Sequence, residues 1–446
     1  MKKSTPLLLL AMLFSLFLEA QNYYYPPLTG DQWDSRLPSE LGWCDESIEG
    51  LYDYLEGRNT KGFIILKEGK IVLEKYFGDF DKDSFWYWAS AGKSLAAFLT
   101  GMAQEEGLID IEDPVSDYLG AGWTSTTPEQ EEQITIRHQI TMTSGLNDRL
   151  APTTEIPDPS NCLEPECLQY LAEAGSRWAY HNAPYRLVQN VIEQASGRTF
   201  NSYTNTTLGN RIGMGGAWIN YVRWGKARDL ARFGHLILSQ GVWKQDTLMR
   251  DQQYFYDMTH SSQTFNKSYG YLWWLAGQES YMLPSLQIVF NNNFVPNAPD
   301  DSFAALGKND QKIYVVPSQD LVVVRIGDSA FDSAAAITSF DNELWGEINK
   351  LSCVTTSATT APALSTIKLS PNPSPQILRV DGLPTDQETQ IQIYDILGRL
   401  KWEGISQNQA LYKIDLQQLP KGTYLLQLKS GSQIITRKII KSEVSA

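Results

Sequence analysis

Two pairs of alternating segments, far apart in the chain, restrict what it can fold into. Residues 61–78 alternate apolar and polar positions on both sides of Lys67-Glu68-Gly69-Lys70, the pattern of a β-hairpin. Residues 312–316 and 321–326, rich in Val and Ile, make a second pair turned by Pro317-Ser318-Gln319-Asp320. Between the pairs the periodicity is helical. Leu95, Leu99 and Met102 share one helix face, Leu187, Val191 and Ile192 a second, and Leu230, Phe233 and Ile237 a third. Strands at both ends with helices inserted between them predict an α+β architecture, an antiparallel sheet with an all-helical lobe against it.

Residues 354–366 carry neither charge nor periodicity and read as a linker. Beyond it the pattern changes to short strands at 390–394, 422–428 and 433–440, separated by Asp395-Ile396-Leu397-Gly398-Arg399 and Pro420-Lys421-Gly422, which predicts a small all-β sandwich. At the other end, Lys2 and Lys3 precede an apolar run at 7–18, and Leu18-Glu19-Ala20 offers a small-residue cleavage site, as in a secretory signal peptide. The expected organisation is a leader at 1–21, a large domain at 22–353, the linker at 354–366 and a C-terminal domain at 367–446. No stretch reaches about eighteen uninterrupted apolar residues, so no transmembrane segment is expected once the leader is removed.

A net charge of −14 argues against a nucleic-acid partner, because a polyanion is repelled rather than steered. The cysteines Cys44, Cys162, Cys167 and Cys353 are even in number in an exported chain and lack zinc-like spacing. Cys162–Cys167 is expected to close a short loop and Cys44–Cys353 to tie the ends of the large domain.

A hydrolytic serine needs a base in contact, and a lysine three residues further along a helix lies on the same face one turn away. Ser90-Ala91-Gly92-Lys93 has that spacing and stands directly before the apolar helix that begins at Leu95. Ser365-Thr366-Ile367-Lys368 repeats the spacing at a linker-to-strand junction, where side chains three apart face opposite ways. Lys93 falls in a helix apolar on nearly every side; burial without a carboxylate in its own turn makes it a base. Tyr180-His181-Asn182, before a helix with Pro184 at its start, supplies a proton-carrying hydroxyl and an amide to orient the lysine or the substrate. Tyr203-Thr204-Asn205 has the same spacing in a polar stretch that follows a helix.

Several blocks carry a family likeness: Trp88-Ala89-Ser90-Ala91-Gly92-Lys93-Ser94, Gly107-Leu108-Ile109-Asp110-Ile111-Glu112-Asp113-Pro114-Val115, Thr141-Met142-Thr143-Ser144-Gly145-Leu146, Trp178 with Tyr180-His181-Asn182, and Ala227-Arg228-Asp229-Leu230-Ala231-Arg232-Phe233-Gly234. Over roughly residues 40–350 the chain resembles the β-lactamase-related serine hydrolase family. Its members are similar to class C β-lactamases, D-alanyl-D-alanine carboxypeptidases, carboxylesterases and hydrolases of 6-aminohexanoate dimers. The resemblance implies acylation of Ser90, proton management by Lys93 and Tyr180, and deacylation by water, with neither metal nor organic cofactor. Leu369-Ser370-Pro371-Asn372-Pro373, Ile393-Tyr394-Asp395-Ile396-Leu397-Gly398-Arg399, Leu419-Pro420-Lys421-Gly422-Thr423-Tyr424 and Lys438-Ile439-Ile440-Lys441 resemble the C-terminal domain sorted by type IX secretion. That resemblance implies transit through the periplasm and outer membrane of a Gram-negative bacterium to the surface or the medium, with the secretion machinery as partner.

The family's third element lies on an edge strand and ends in Gly; counting back from Pro317 places Ala305-Leu306-Gly307 there. Gly307 admits substrate to the backbone, and the amides of Lys308 and Ser90 are the expected oxyanion donors. This departs from Lys-Thr-Gly: no cation or hydroxyl holds the first two positions, and Lys308 is expected on the opposite strand face. Such a site suits a small-molecule or peptide-like ester or amide better than the carboxylate of a β-lactam. The competing expectation is a catalytically weak or inactive fold that binds peptidoglycan or a peptide. His138, His181, His235 and His260 are expected to be structural, since no Gly-x-Ser-x-Gly elbow exists to start a Ser-His-Asp triad.

Overall fold

A computed structural model describes residues 23–443 except 332–334, 336, 354–366, 386, 396–398 and 431–432. The expected leader and linker lie outside the described residues. The chain divides into two compact units, one ending at Cys353 and the other beginning at Val354.

In the first unit the strands β1 (Thr60–Lys67), β2 (Lys70–Tyr76), β3 (Trp274–Leu275), β4 (Phe303–Gly307), β5 (Gln311–Val316) and β6 (Leu321–Gly327) form one sheet in the order β2-β1-β6-β5-β4-β3. Every pairing is antiparallel, so the two hairpins read from the sequence meet at β1 and β6, where Phe63 faces Arg325 and Ile65 faces Val323. The principal helices are α1 (Asp45–Glu56), α2 (Gly92–Glu105), α3 (Asn182–Ser196), α4 (Ala227–Leu238) and α5 (Ser339–Ile348).

Strand alternation decides which helix covers which face. Ile313 and Val322 point toward α4, where a Cβ on Gly234 would lie 2.9 Å and 2.6 Å from their methyl groups; glycine there lets the helix rest on the sheet. The next residue of β5, Tyr314, points the other way and meets Trp345 of α5 edge-on at 5.4 Å. α1 lies beside α5, with Tyr54 stacked on Phe340. Cys44 and Cys353, at the ends of this pair, are bonded, and so are Cys162 and Cys167, both as expected.

α2 is buried on every side from Gly92 to Ala103, packed among β4, α3 and the helix Gln252–Met258. This all-round burial follows from its all-round apolar sequence. The helical lobe beyond it also carries a small three-stranded sheet of Trp86–Tyr87, Val222–Gly225 and Ala217–Ile219. Among the described residues no helix is long and apolar enough to cross a membrane.

The second unit is all β. Its strands β7 (Lys368–Ser370), β8 (Ile377–Asp381), β9 (Thr389–Asp395), β10 (Leu400–Ser406), β11 (Leu411–Asp415), β12 (Gly422–Ser430) and β13 (Gln433–Lys441) form antiparallel sheets in the orders β7-β8-β11 and β10-β9-β12-β13. Alternate residues of both sheets, among them Val380, Ile414, Ile391, Ile393, Leu426 and Leu428, share one core, which makes the unit a sandwich. β7, β8, β10 and β11 escape the sequence pattern because their exposed faces also carry apolar residues, such as Ile377, Leu400 and Leu411.

Candidate active site

Ser90 is the middle residue of the 3₁₀ turn Ala89–Ala91, which runs directly into α2. Ala89, just before it, has φ 47°, a left-handed conformation that an L-residue holds only when its surroundings impose it. The Trp88 amide donates to the Arg223 carbonyl at 2.8 Å and the Ala91 amide to the Trp88 carbonyl at 3.0 Å, which pins both flanks of the turn.

One turn further on, Lys93 is only 4% exposed, and its Nζ stands 2.9 Å from Ser90 Oγ. The rings of Tyr180 and Tyr185 flank Nζ at 5.0 Å and 4.3 Å from their centroids. Among the described residues no carboxylate forms an ion pair with it. Burial, reinforced by the positive charge of Arg186, holds the Lys93 pKa well below the ordinary lysine value. Burial raises the Tyr180 pKa against a smaller lowering effect of the neighbouring Ser90 side chain. Burial thus favours the free amine of Lys93 and the un-ionised phenol of Tyr180. Tyr180 stacks on Trp274 at 6.1 Å and meets Tyr269 and Trp178 at 6.3 Å each, so the segment 269–274 forms an aromatic wall.

The third element closes on the same turn. A Cβ on Gly307 would lie 2.5 Å from the Trp88 carbonyl oxygen, 2.9 Å from the Ala91 nitrogen and 3.1 Å from the Ser90 nitrogen. Only glycine lets β4 approach so near. Lys308 departs from expectation: the strand ends at Gly307, and Lys308 opens the turn Lys308–Asp310 with its side chain exposed, rather than on a strand face. Asn182 is the first residue of α3, and its buried Oδ1 has no hydrogen-bond partner among the described residues.

Ser90, Lys93, Tyr180 and Gly307 thus converge, whereas the look-alikes do not. The Tyr203 hydroxyl donates to Glu106 at 3.3 Å, and Ser365 lies outside the described residues. None of the four histidines hydrogen-bonds to Ser90: His138 caps the helix Ile136–Ile140, His235 faces the Tyr24 carbonyl, His260 stacks on Tyr256, and burial lowers the His181 pKa to about 4. Sequence reasoning missed Tyr185 and Arg186. Tyr185 lies on the buried face of α3 with Val188 and Ile192, three and seven residues on, and that spacing was the available signal. Arg186, whose positive charge acts on Lys93, donates to the Asn161 carbonyl at 3.2 Å. A cavity of about 420 Å³ lined by Phe255, Tyr256, His260, Gln278 and Asp300 contains none of the converging residues.

Residues 52–330, which span all of these positions, match the Beta-lactamase family, and residues 368–442 match the Secretion system C-terminal sorting domain. A candidate penicillin-binding protein of Bacillus subtilis strain 168 is 26% identical over 159 residues, 34% of this chain and 39% of that protein's own length. A 6-aminohexanoate-dimer hydrolase of Paenarthrobacter ureafaciens is 22% identical over 319 residues, 63% of this chain and 75% of that protein. The solved structure of a candidate 6-aminohexanoate-dimer hydrolase from Bacillus anthracis superposes with a TM-score of 0.56 at 17% identity, covering 73% of this chain and 88% of that one; the likeness is one of fold. The C-terminal unit is a type IX sorting domain, and the chain belongs to the Beta-lactamase family.

Proposed function

We propose that the chain is an exported serine hydrolase that cleaves an ester or amide through an acyl-enzyme on Ser90. The observation that carries this reading is a buried, carboxylate-free Lys93 with Nζ 2.9 Å from Ser90 Oγ. The neutral amine takes the hydroxyl proton as Oγ bonds to the carbonyl carbon. The amides of Ser90 and Lys308 hold the oxyanion that develops. Tyr180 gives its proton to the departing oxygen or nitrogen and recovers one from the Lys93 ammonium. Water repeats the sequence against the acyl-enzyme and frees Ser90. With its Oδ1 unpartnered, Asn182 can accept from Lys93 or from a substrate N–H.

Strand β4, which β3 covers only at Phe303 and Ala304 rather than leaving it a full edge, favours an ester or amide over a β-lactam, since Ala305 and Leu306 present neither cation nor hydroxyl. The guanidinium of Arg186, whose charge acts on Lys93, is engaged by its bond to the Asn161 carbonyl. Export follows from the sorting domain, and the leader at 1–21 supplies entry to the periplasm.

The test is hydrolysis of p-nitrophenyl acetate by the purified chain and by its Ser90→Ala variant, with a chromogenic cephalosporin in parallel. Ester turnover that disappears in Ser90→Ala, beside a silent cephalosporin, is the expected result. Turnover that survives the substitution removes Ser90 as nucleophile. If neither substrate reacts with the unaltered chain, a fold that only binds peptidoglycan or a peptide is the better reading.

A further inference from the structure

The turn after Gly307 contains two consecutive non-glycine residues in the left-handed region, Asn309 and Asp310, each with φ 59°. L-residues hold that conformation only where the surroundings over-determine it. What holds it here is a buried polar cluster that the chemistry above does not use. Asp310, Lys312, Arg325 and Asp341 are all 0% exposed. The Asp310 carboxylate accepts from Thr338 Oγ1 and the Ala330 amide, both at 3.0 Å, and pairs with Lys312 Nζ at 3.1 Å. Lys312 pairs in turn with Asp341 at 2.9 Å. Arg325 Nη1 donates to the carbonyls of Asn309 at 2.9 Å and Asp310 at 3.1 Å, and Gln311 Nε2 donates to the Asn309 carbonyl at 2.8 Å. Every polar group of the turn backbone named here is therefore tied from below.

One further bond crosses to the segment that leads into the Ser90 turn. Asn309 Nδ2 donates to the Tyr87 hydroxyl at 2.6 Å. Tyr87 lies three residues before Ser90 and Asn309 one residue after Lys308, so this bond joins the two backbone segments that carry the oxyanion donors. The other end of the junction is the Gly307 approach to the Ser90 nitrogen. Two donors acting on one oxygen must be fixed relative to each other, because a displacement of about 1 Å is enough to lower turnover steeply.

We propose that Asp310 and Asn309 are positioning residues: Asp310 locks the left-handed turn that aims the Lys308 amide, and the Asn309–Tyr87 bond sets its spacing from the Ser90 amide. This inference rests on the reading of Ser90 as the acylated nucleophile. It predicts a defect in the transition state rather than in substrate binding.

The experiment compares full-length Tyr87→Phe, Asn309→Gly, their double variant and Asp310→Asn. Substrates are p-nitrophenyl acetate and its thiono analogue, in which sulfur replaces the carbonyl oxygen. Ser90→Ala is the reference, and the unfolding midpoint of each variant is recorded. Asn309→Gly tolerates the positive φ and, like Tyr87→Phe, leaves the buried charges in place, so both test the idea even if Asp310→Asn fails to fold. The expected result is a kcat at least about tenfold lower with KM within about twofold, the double variant being no worse than either single. The preference for ester over thionoester should shrink in the same variants, since a sulfur anion draws little from N–H donors. Wild-type kcat and wild-type preference in folded Tyr87→Phe and Asn309→Gly overturn the proposal, provided that Ser90→Ala is inactive. If Ser90→Ala itself retains turnover, the nucleophile assignment has failed first and the positioning role falls with it.

Discussion

Lys93 shows how one side chain can link activity to stability. Its folded pKa is depressed, so between that value and the ordinary lysine value the unfolded chain holds a proton that the folded chain has released. Across that window stability rises with pH, and at neutral pH the buried lysine is a net cost. Replacing it with an isosteric apolar group, Lys93→Met, is expected to lower turnover by about 10²–10⁴-fold while raising the unfolding midpoint at pH 7 in a thermal melt. The same shift sets the pH–rate profile. The rate should climb through the lowered Lys93 pKa and then level off, because Tyr180, whose pKa is raised, keeps its proton over the same range. A kcat/KM profile that falls again in mildly alkaline solution would instead point to a catalytic group other than these two. Ser90, Lys93 and Tyr180 were legible in the sequence because their spacing, on a helix or just before one, is short and local. Arg186, Asn309 and Asp310 were not, since their roles depend on contacts with residues far away in sequence.

At the scale of elements, the site is the meeting of one helix start with one strand end. Gly307→Ala places a methyl group 2.5 Å from the Trp88 carbonyl oxygen, so β4 and the Ala89–Ala91 turn must separate. The expected outcome is a kcat lowered by about 10- to 100-fold with little change in KM, measured beside an unfolding curve that shows the variant folded. α2 behaves differently, because its burial is a matter of volume. Phe98 is fully buried, and Phe98→Ala should cost about 3–5 kcal/mol in urea unfolding. That helix was readable from its apolar sequence alone. β3 carries no such periodic signal: it pairs through Trp274 and Leu275 only, too short for alternation to register. The turn of Lys308 away from its expected strand face has the same origin, because nothing local announces that pairing stops at Gly307 opposite Gln311.

For the whole molecule, the Cys44–Cys353 bond closes a loop of 309 residues around the hydrolase unit, which removes much freedom from the unfolded chain. The Cys44→Ser, Cys353→Ser double variant is expected to lose about 2–5 kcal/mol of stability in denaturant unfolding, with ester turnover retained. A chain ending at residue 366 should fold and hydrolyse ester yet remain in the periplasm, as fractionation of the host would show; its appearance in the medium would refute export through the sorting domain. The sequence by itself determined the α+β class, the β-sandwich character of the C-terminal unit, the even set of cysteines and the Ser90–Lys93 spacing, while which cysteine meets which was left to the fold. Each rests on local periodicity, local spacing or a simple parity. Tertiary structure alone decided that β1 meets β6, that Gly307 abuts the Ser90 nitrogen, and that a buried charge cluster underlies the turn after it. Those facts are pairings across hundreds of residues, and strand partners and packing distances are selected by how the whole core closes, which no local window of sequence contains.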